Sequence, residues 1–155
     1  METILNLLDN LPAMTKESIL AVLPADFVFL GSGDFRTCFL YGGQVWKFAH
    51  NMRTDANACN HREKVLWDLI SKSCVMDKFA RVHQVSKCGR ILIQDYVQGK
   101  KATRQDQTNA ELYLLMLYDN RDISFLPFDF GPRNMRRTGR DTQDWKCFDY
   151  AAFTS

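Results

Sequence analysis

The chain has 155 residues, 46% of them apolar and 25% charged, with a net charge of +2. That length fits one domain, or two small lobes sharing a core. A charge so close to balance excludes a general electrostatic pull toward nucleic acid or an anionic membrane, and no apolar run reaches transmembrane length.

Residues 1–24 are expected to form a helical extension. Ile4, Leu5, Leu7 and Leu8 make an apolar stripe that ends near Pro12, and Thr15 can cap a second helix carrying Ile19, Leu20 and Val22 before Pro24. From Phe27 the texture turns to strand: Phe27–Leu30, Thr37–Tyr41 and Gln44–Phe48, the last two joined by Gly42-Gly43. On the third strand Val45 and Lys47 face one side, and Trp46 and Phe48 the other.

Thr54–Ser73 reads as a helix with Val65, Leu66, Leu69 and Ile70 as its apolar face. Strands Phe79–Val85 and Ile91–Val97 follow. Gln98-Gly99-Lys100-Lys101 is a polar break suited to a hinge. Asn109–Tyr118 is a helix with Leu112, Leu115 and Leu117 as core candidates, and Met135–Thr138 with Trp145–Phe148 form a hairpin. The fold class is therefore α+β: residues 25–98 are a sheet lobe and residues 99–155 a smaller helical lobe. The five cysteines Cys38, Cys59, Cys74, Cys88 and Cys147 lack any C-x-x-C spacing, which fits reduced thiols in the cytoplasm.

Several polar residues stand out against this frame. Gly31-Ser32-Gly33-Asp34 lies between two strands. It is either a plain turn or a place where backbone N–H groups can approach a phosphate, since no Cβ intervenes. Lys47, sixteen residues after Gly31, is either a snorkelling edge residue or a cation aimed at that turn. Glu63, sixteen residues further on, is either a solvated helix charge or the carboxylate that holds the ammonium. Asp129 and Asn134 lie five apart in a loop stiffened by Pro127 and Pro132, and Asp149 ends the hairpin. A tight hairpin brings Asn134 and Asp149 side by side. Two such oxygen donors plus phosphate oxygens suit magnesium; the alternative is ordinary Asp and Asn turn chemistry.

Together these motifs resemble the protein-kinase-like family. The matching pattern is a G-x-G strand turn, a third-strand lysine, a helix glutamate, an Asp-x-x-x-x-Asn loop and a metal-binding aspartate after a short hairpin. The resemblance covers about Phe27 to Ala151. The D-F-G-P-R-N loop and the small size are similar to aminoglycoside-kinase-like enzymes and to compact kinases of bacteriophages, which would place the chain in a host cytoplasm. The implied fold is a five-stranded antiparallel sheet with one helix, followed by a reduced lobe of a helix and a β-hairpin.

The implied activity is ATP-dependent, magnesium-assisted transfer of the γ-phosphate to a hydroxyl, on a protein. Gly31, Ser32, Gly33 and Asp34 would cover the phosphates. Cys38 and Val45 would roof the adenine, and Asp95 and Tyr96 belong to the strand and hinge that pair with it. Lys47 would bind the α- and β-phosphates, held by Glu63. Asp129 would receive the acceptor's proton, with Arg133 supplying nearby positive charge. Asn134 and Asp149 would hold magnesium. The alternative is a kinase-like module without turnover that binds and inhibits a host partner protein.

Departures from the family pattern carry expectations of their own. Arg36 replaces the third glycine of the turn and is expected to crowd the lid or reach a phosphate. Phe128 replaces the residue that pairs a phosphorylated activation loop. The sequence given ends six residues after Asp149, so the N-terminal helices, or a second copy of the chain in a homodimer, are expected to cover the apolar surface of the small lobe. Arg133, Arg136, Arg137 and Arg140 disfavour a polycationic acceptor, or are a solvated face. A nucleic-acid partner is not expected, because no aromatic stacking platform accompanies those arginines.

Overall fold

A computed structural model describes residues 2–11, 15–50, 56–126 and 131–150. The chain forms two compact units, residues 1–64 with 82–96 and residues 65–81 with 97–155.

The first unit is built on a five-stranded antiparallel sheet. Its strands are β1 (Val28–Ser32), β2 (Arg36–Tyr41), β3 (Gln44–Ala49), β4 (Val82–Val85) and β5 (Ile91–Asp95), in the order β1-β2-β3-β5-β4. The β2–β3 turn is Gly42-Gly43, with φ of +59° and +75°. Two consecutive left-handed residues are what a two-residue hairpin needs, and glycine meets that need without a Cβ clash. Strand alternation divides β3 as its side chains dictate. Trp46 and Phe48 join Phe39, Ile91 and Ile93 in the core, while Lys47 emerges on the opposite face.

Two helices complete that core: α1 (Glu2–Asp9) and α2 (Lys16–Val22). Thr15 caps α2, its hydroxyl accepting from Ser18 N at 3.2 Å. Leu5, Leu8 and Ile19 are buried with Phe39 and Trp46. This corrects the expectation for the N-terminal helices: their buried side chains belong to the sheet unit, not to the smaller lobe. Burying each such side chain contributes about 1.5–3 kcal/mol, enough to commit the helices to the sheet.

The helix α3 (Ala56–Ile70) differs from expectation in its inward face. Val65 is 58% exposed and Leu69 is also exposed. The buried residues are Asn60, Glu63, Leu66, Trp67 and Ile70. Counting only apolar residues displaced the predicted stripe, because two of the inward positions are polar.

In the second unit, α4 (Arg104–Asp119) starts five residues before the expected Asn109. Thr103 and Asp106 form a capping box, with Asp106 N donating to Thr103 Oγ1 at 3.2 Å and Thr103 N to Asp106 Oδ2 at 2.8 Å. The inward stripe is Asp106, Ala110, Leu114 and Leu117. Of the three expected core residues only Leu117 is buried, and Leu112 is 61% exposed. The stripe begins on a polar and a small residue, which an apolar count passes over.

A second sheet joins β6 (Lys100–Lys101), β7 (Met135–Arg137) and β8 (Trp145–Cys147), all antiparallel. Gly99 precedes β6 at φ +153°, and a Cβ there would clash with the Arg137 carbonyl. Phe79 is the aromatic centre of this unit, packing edge-on against Phe125, Trp145 and Tyr150. The strand expected from Phe79 begins only at Val82; Phe79 follows a 3-10 turn and makes one bridge, to Cys147. All five cysteines are free thiols. Among the described residues no helix is long and apolar enough to cross a membrane.

Candidate functional site

The G-x-G stretch closes the β1–β2 hairpin. Gly33 N donates to Arg36 O at 2.9 Å, and Ser32, Gly33 and Asp34 are exposed. A Cβ at Gly31 or Gly33 would meet nothing within 4 Å, and neither residue is among those of positive φ. The fold therefore does not require glycine at these two places. What their bareness provides is open approach to the backbone of the turn.

Behind the turn lies a buried charge cluster. Lys47 Nζ is 2.8 Å from Glu63 Oε1 and Arg36 is paired with Glu63 Oε2. Gln94 Nε2 donates to Glu63 Oε1 at 3.1 Å. Arg36 Nη1 donates to Asn60 Oδ1 at 3.2 Å, and Asn60 Nδ2 donates to the Gly89 carbonyl at 2.8 Å. Glu63 is fully buried, and Lys47 and Arg36 nearly so. Burial pushes the Glu63 carboxyl up, but the charges of Arg36 and then Lys47 outweigh it and hold the pKa down at about 2. Arg36 thus neither crowds the turn nor points at a ligand there. The carboxylate draws it inward, as expected of a guanidinium offered a buried partner.

Cys38 stands opposite Lys47 across β2 and β3, and Val45 stands opposite Gln94 across β3 and β5. Alternation places Cys38, Val45, Lys47 and Gln94 on one face of the sheet. At the end of β5, His83 Nε2 donates to Asp95 Oδ1 at 2.5 Å, and Tyr96 is exposed.

The second unit carries the remaining candidates. Asn134 ends a 3-10 turn at Pro132–Asn134, and its carbonyl accepts from Phe148 N at 2.9 Å. That bond extends the β7–β8 ladder by one pair, so Asn134 lies opposite Phe148 and next to Asp149 in the sequence of the partner strand. Both side chains are half-buried, and Arg133 is exposed. Asp129 lies outside the described residues.

One feature was not read from the sequence. Lys101, Arg136 and Lys146 are direct cross-strand neighbours on β6, β7 and β8. Like charges directly opposite are unfavourable. The neighbouring Arg137 has an ion pair, with Asp106 at 2.7 Å. Arg136 instead lies over the Phe148 ring at 4.7 Å. Asn134 immediately precedes β7, the central strand of this row. The basic residues were visible in the sequence, but only the strand register aligns them. Asn60 and Gln94 were likewise missed, since nothing local marks an amide as buried beside a carboxylate.

No family model and no curated protein matches the chain. Solved structures do. An ADP-bound aminoglycoside phosphotransferase, APH(2'')-Ib, superposes with a TM-score of 0.59 over 90% of this chain and 70% of that one, at 13% identity. APH(2'')-IIa in complex with gentamicin gives 0.61 over 93% and 72%, at 14% identity. A kinase domain gives 0.52 over 86% and 52%, at 15% identity. The chain has a protein-kinase-like fold. At these identities the likeness is one of fold alone, so the roles of residues in this kinase-like chain rest on their own geometry.

Proposed function

We propose that this kinase-like chain is an ATP-dependent phosphotransferase acting on a hydroxyl, with a protein as acceptor. The observation that carries the reading is the buried Lys47–Glu63 ion pair on the sheet whose β1–β2 hairpin ends in the bare glycine turn. Burying an ammonium is costly unless it is paired. Glu63 pays that cost and holds Lys47 on the face shared with Cys38 and Val45. Two of the similar solved structures hold a nucleotide, ADP in one and ATP in another, which supports nucleotide as the ligand.

In this reading the exposed amides of the Gly31–Asp34 turn other than Gly33 N, which is bonded to the Arg36 carbonyl, take the phosphate oxygens, and Lys47 neutralises the α- and β-phosphates. Cys38 and Val45 pack on the base, with the backbone of Asp95 and Tyr96 bonding its edge. The Asn134 amide oxygen and the Asp149 carboxylate are hard oxygen donors of the kind that would hold a magnesium ion. Bound magnesium supplies charge neutralisation on the transferring group. The acceptor oxygen bonds to the γ-phosphorus as the bond from that phosphorus to the β,γ-bridging oxygen breaks. Asp129 receives the acceptor's proton and ADP leaves. Positioning and charge carry the rate, since the chain supplies no covalent intermediate. Arg133 and the Lys101–Arg136–Lys146 row add positive charge to the unit bearing Asn134. They disfavour a polycationic acceptor and so favour a protein hydroxyl.

The test is incubation with magnesium and labelled ATP, comparing the wild type with Lys47→Met and Asp149→Asn. Label transferred by the wild type and lost in both variants supports the reading. Transfer at wild-type rate in Lys47→Met refutes it. Arg36 favours one second reading, a binding module without turnover, because it already occupies the second oxygen of Glu63. Under that reading folded Lys47→Met retains the full effect on a partner protein.

A further inference from the structure

We propose that His50 is a positioning residue for the glycine turn: it fixes the turn's backbone from outside and commits the Ser32 hydroxyl inward. This rests on the reading of the turn as the phosphate cradle.

His50 immediately follows β3 and contacts the β1–β2 connection at four points. Its backbone N donates to the Phe35 carbonyl at 2.8 Å. Its ring Nδ1 lies 3.3 Å from the Asp34 carbonyl. Its ring Nε2 lies 2.7 Å from Thr37 Oγ1 and 3.5 Å from Ser32 Oγ. Ser32 and Thr37 face each other across the hairpin, with their hydroxyl oxygens 3.0 Å apart.

The directions of these bonds follow from the donor inventory. A carbonyl only accepts, so Nδ1 carries the ring proton and donates to Asp34 O. In the neutral ring Nε2 then accepts, and the hydrogen comes from the Thr37 hydroxyl. Thr37 has spent its proton, so it accepts from Ser32. The chain runs Ser32 to Thr37 to His50 to the Asp34 carbonyl, closing a loop across the turn. Thr37 is fully buried and holds the short bond to the ring, 2.7 Å against 3.5 Å for Ser32, so the ring nitrogen is committed to Thr37 and the cluster is not arranged to activate Ser32 as a nucleophile.

The turn needs such a brace. β1 is an edge strand, so the hairpin is supported on one side only. The register shifts between Phe29 and Gly31, interrupting the ladder just before the turn. Two glycines leave the backbone freer than any other pair would. A cradle for phosphate works by presenting N–H groups already aimed, and freedom in the turn costs affinity. His50, anchored at the end of a central strand, removes that freedom without entering the space the glycines leave open.

The test compares wild type, His50→Ala, His50→Gln and Thr37→Val, the last keeping side-chain shape while cutting the chain. Amide hydrogen exchange is followed over residues 31–37 without nucleotide, with amides of β3 and β5 as internal reference. Loss of one net hydrogen bond predicts exchange about ten-fold faster in the turn for His50→Ala and Thr37→Val, with the reference amides unchanged. His50→Gln, which retains a donor and an acceptor, restores part of the protection. The second readout is the KM for ATP, expected to rise about ten-fold in His50→Ala while kcat stays within about two-fold, the signature of lost ground-state binding.

Unchanged turn exchange in both His50→Ala and Thr37→Val overturns the proposal. So does faster exchange with an unchanged KM in a chain that does use ATP. Faster exchange in a wild-type background that binds no ATP removes the phosphotransferase reading and leaves the bracing role standing.

Discussion

Replacing Glu63 with Gln removes the one carboxylate that two buried cations share. In Glu63→Gln the amide keeps the volume and an acceptor, but Lys47 and Arg36 lose the negative charge of Glu63. Breaking a buried pair from one side costs about 3–5 kcal/mol. The pH route gives a similar figure. A carboxyl held at about 2 instead of 4.5 stabilises the folded state, when ionised, by about 3 kcal/mol. That is a large part of the roughly 5–15 kcal/mol that holds a domain together. The sign is set by the lowered pKa. The contribution is complete above the unfolded value near 4.5 and is lost as pH falls toward about 2. Urea unfolding of wild type and Glu63→Gln checks both. Near neutral pH the variant is expected to be less stable by about 3 kcal/mol, with the gap closing on acidification below about 4.5. A gap that stays constant down to the acid limit refutes the assignment of the stabilisation to an ionised Glu63.

Gly31→Ala and Gly33→Ala are expected to leave stability within about 0.5 kcal/mol, since the added methyl meets open space. Both are expected to weaken ATP binding in a direct titration, and a large fall in melting temperature in either variant contradicts the view that these glycines serve a ligand. Arg121 sits at φ 64° just after α4, with Asp122 N bonded to Leu117 O at 2.8 Å. That left-handed helix end prefers glycine, so Arg121→Gly is expected to stabilise by up to about 1 kcal/mol in thermal unfolding; destabilisation refutes it. Asp106→Ala removes half of the α4 capping box and the partner of Arg137, with an expected loss of about 1–2 kcal/mol by urea unfolding. An unchanged midpoint shows that the cap contributes nothing.

Short-range pattern was enough for much of this chain. Gly42-Gly43 between two alternating runs declares the β2–β3 hairpin, and the alternation itself puts Lys47 opposite Trp46 and Phe48. The α4 cap was also written locally, as Thr103 followed three residues later by Asp106, though the apolar leucines drew the expected helix start past it. The separate strands and the short β7–β8 hairpin follow from the same signals, because turn chemistry and period-two patterning act within a few residues; the joining of five strands into one sheet, with β3 beside β5, was expected only from the family resemblance.

Tertiary structure decided what depends on distant partners. The inward faces of α3 and α4 run through Asn60, Glu63 and Asp106, residues that are buried only because cations and carbonyls from elsewhere in the chain meet them. Arg36 turns to Glu63 rather than outward for the same reason, and the alignment of Lys101, Arg136 and Lys146 exists only in the register of three strands. Apolar burial is close to a property of each side chain and is therefore legible one residue at a time. The burial of a charge is a property of the set of groups around it, and the fold alone assembles that set.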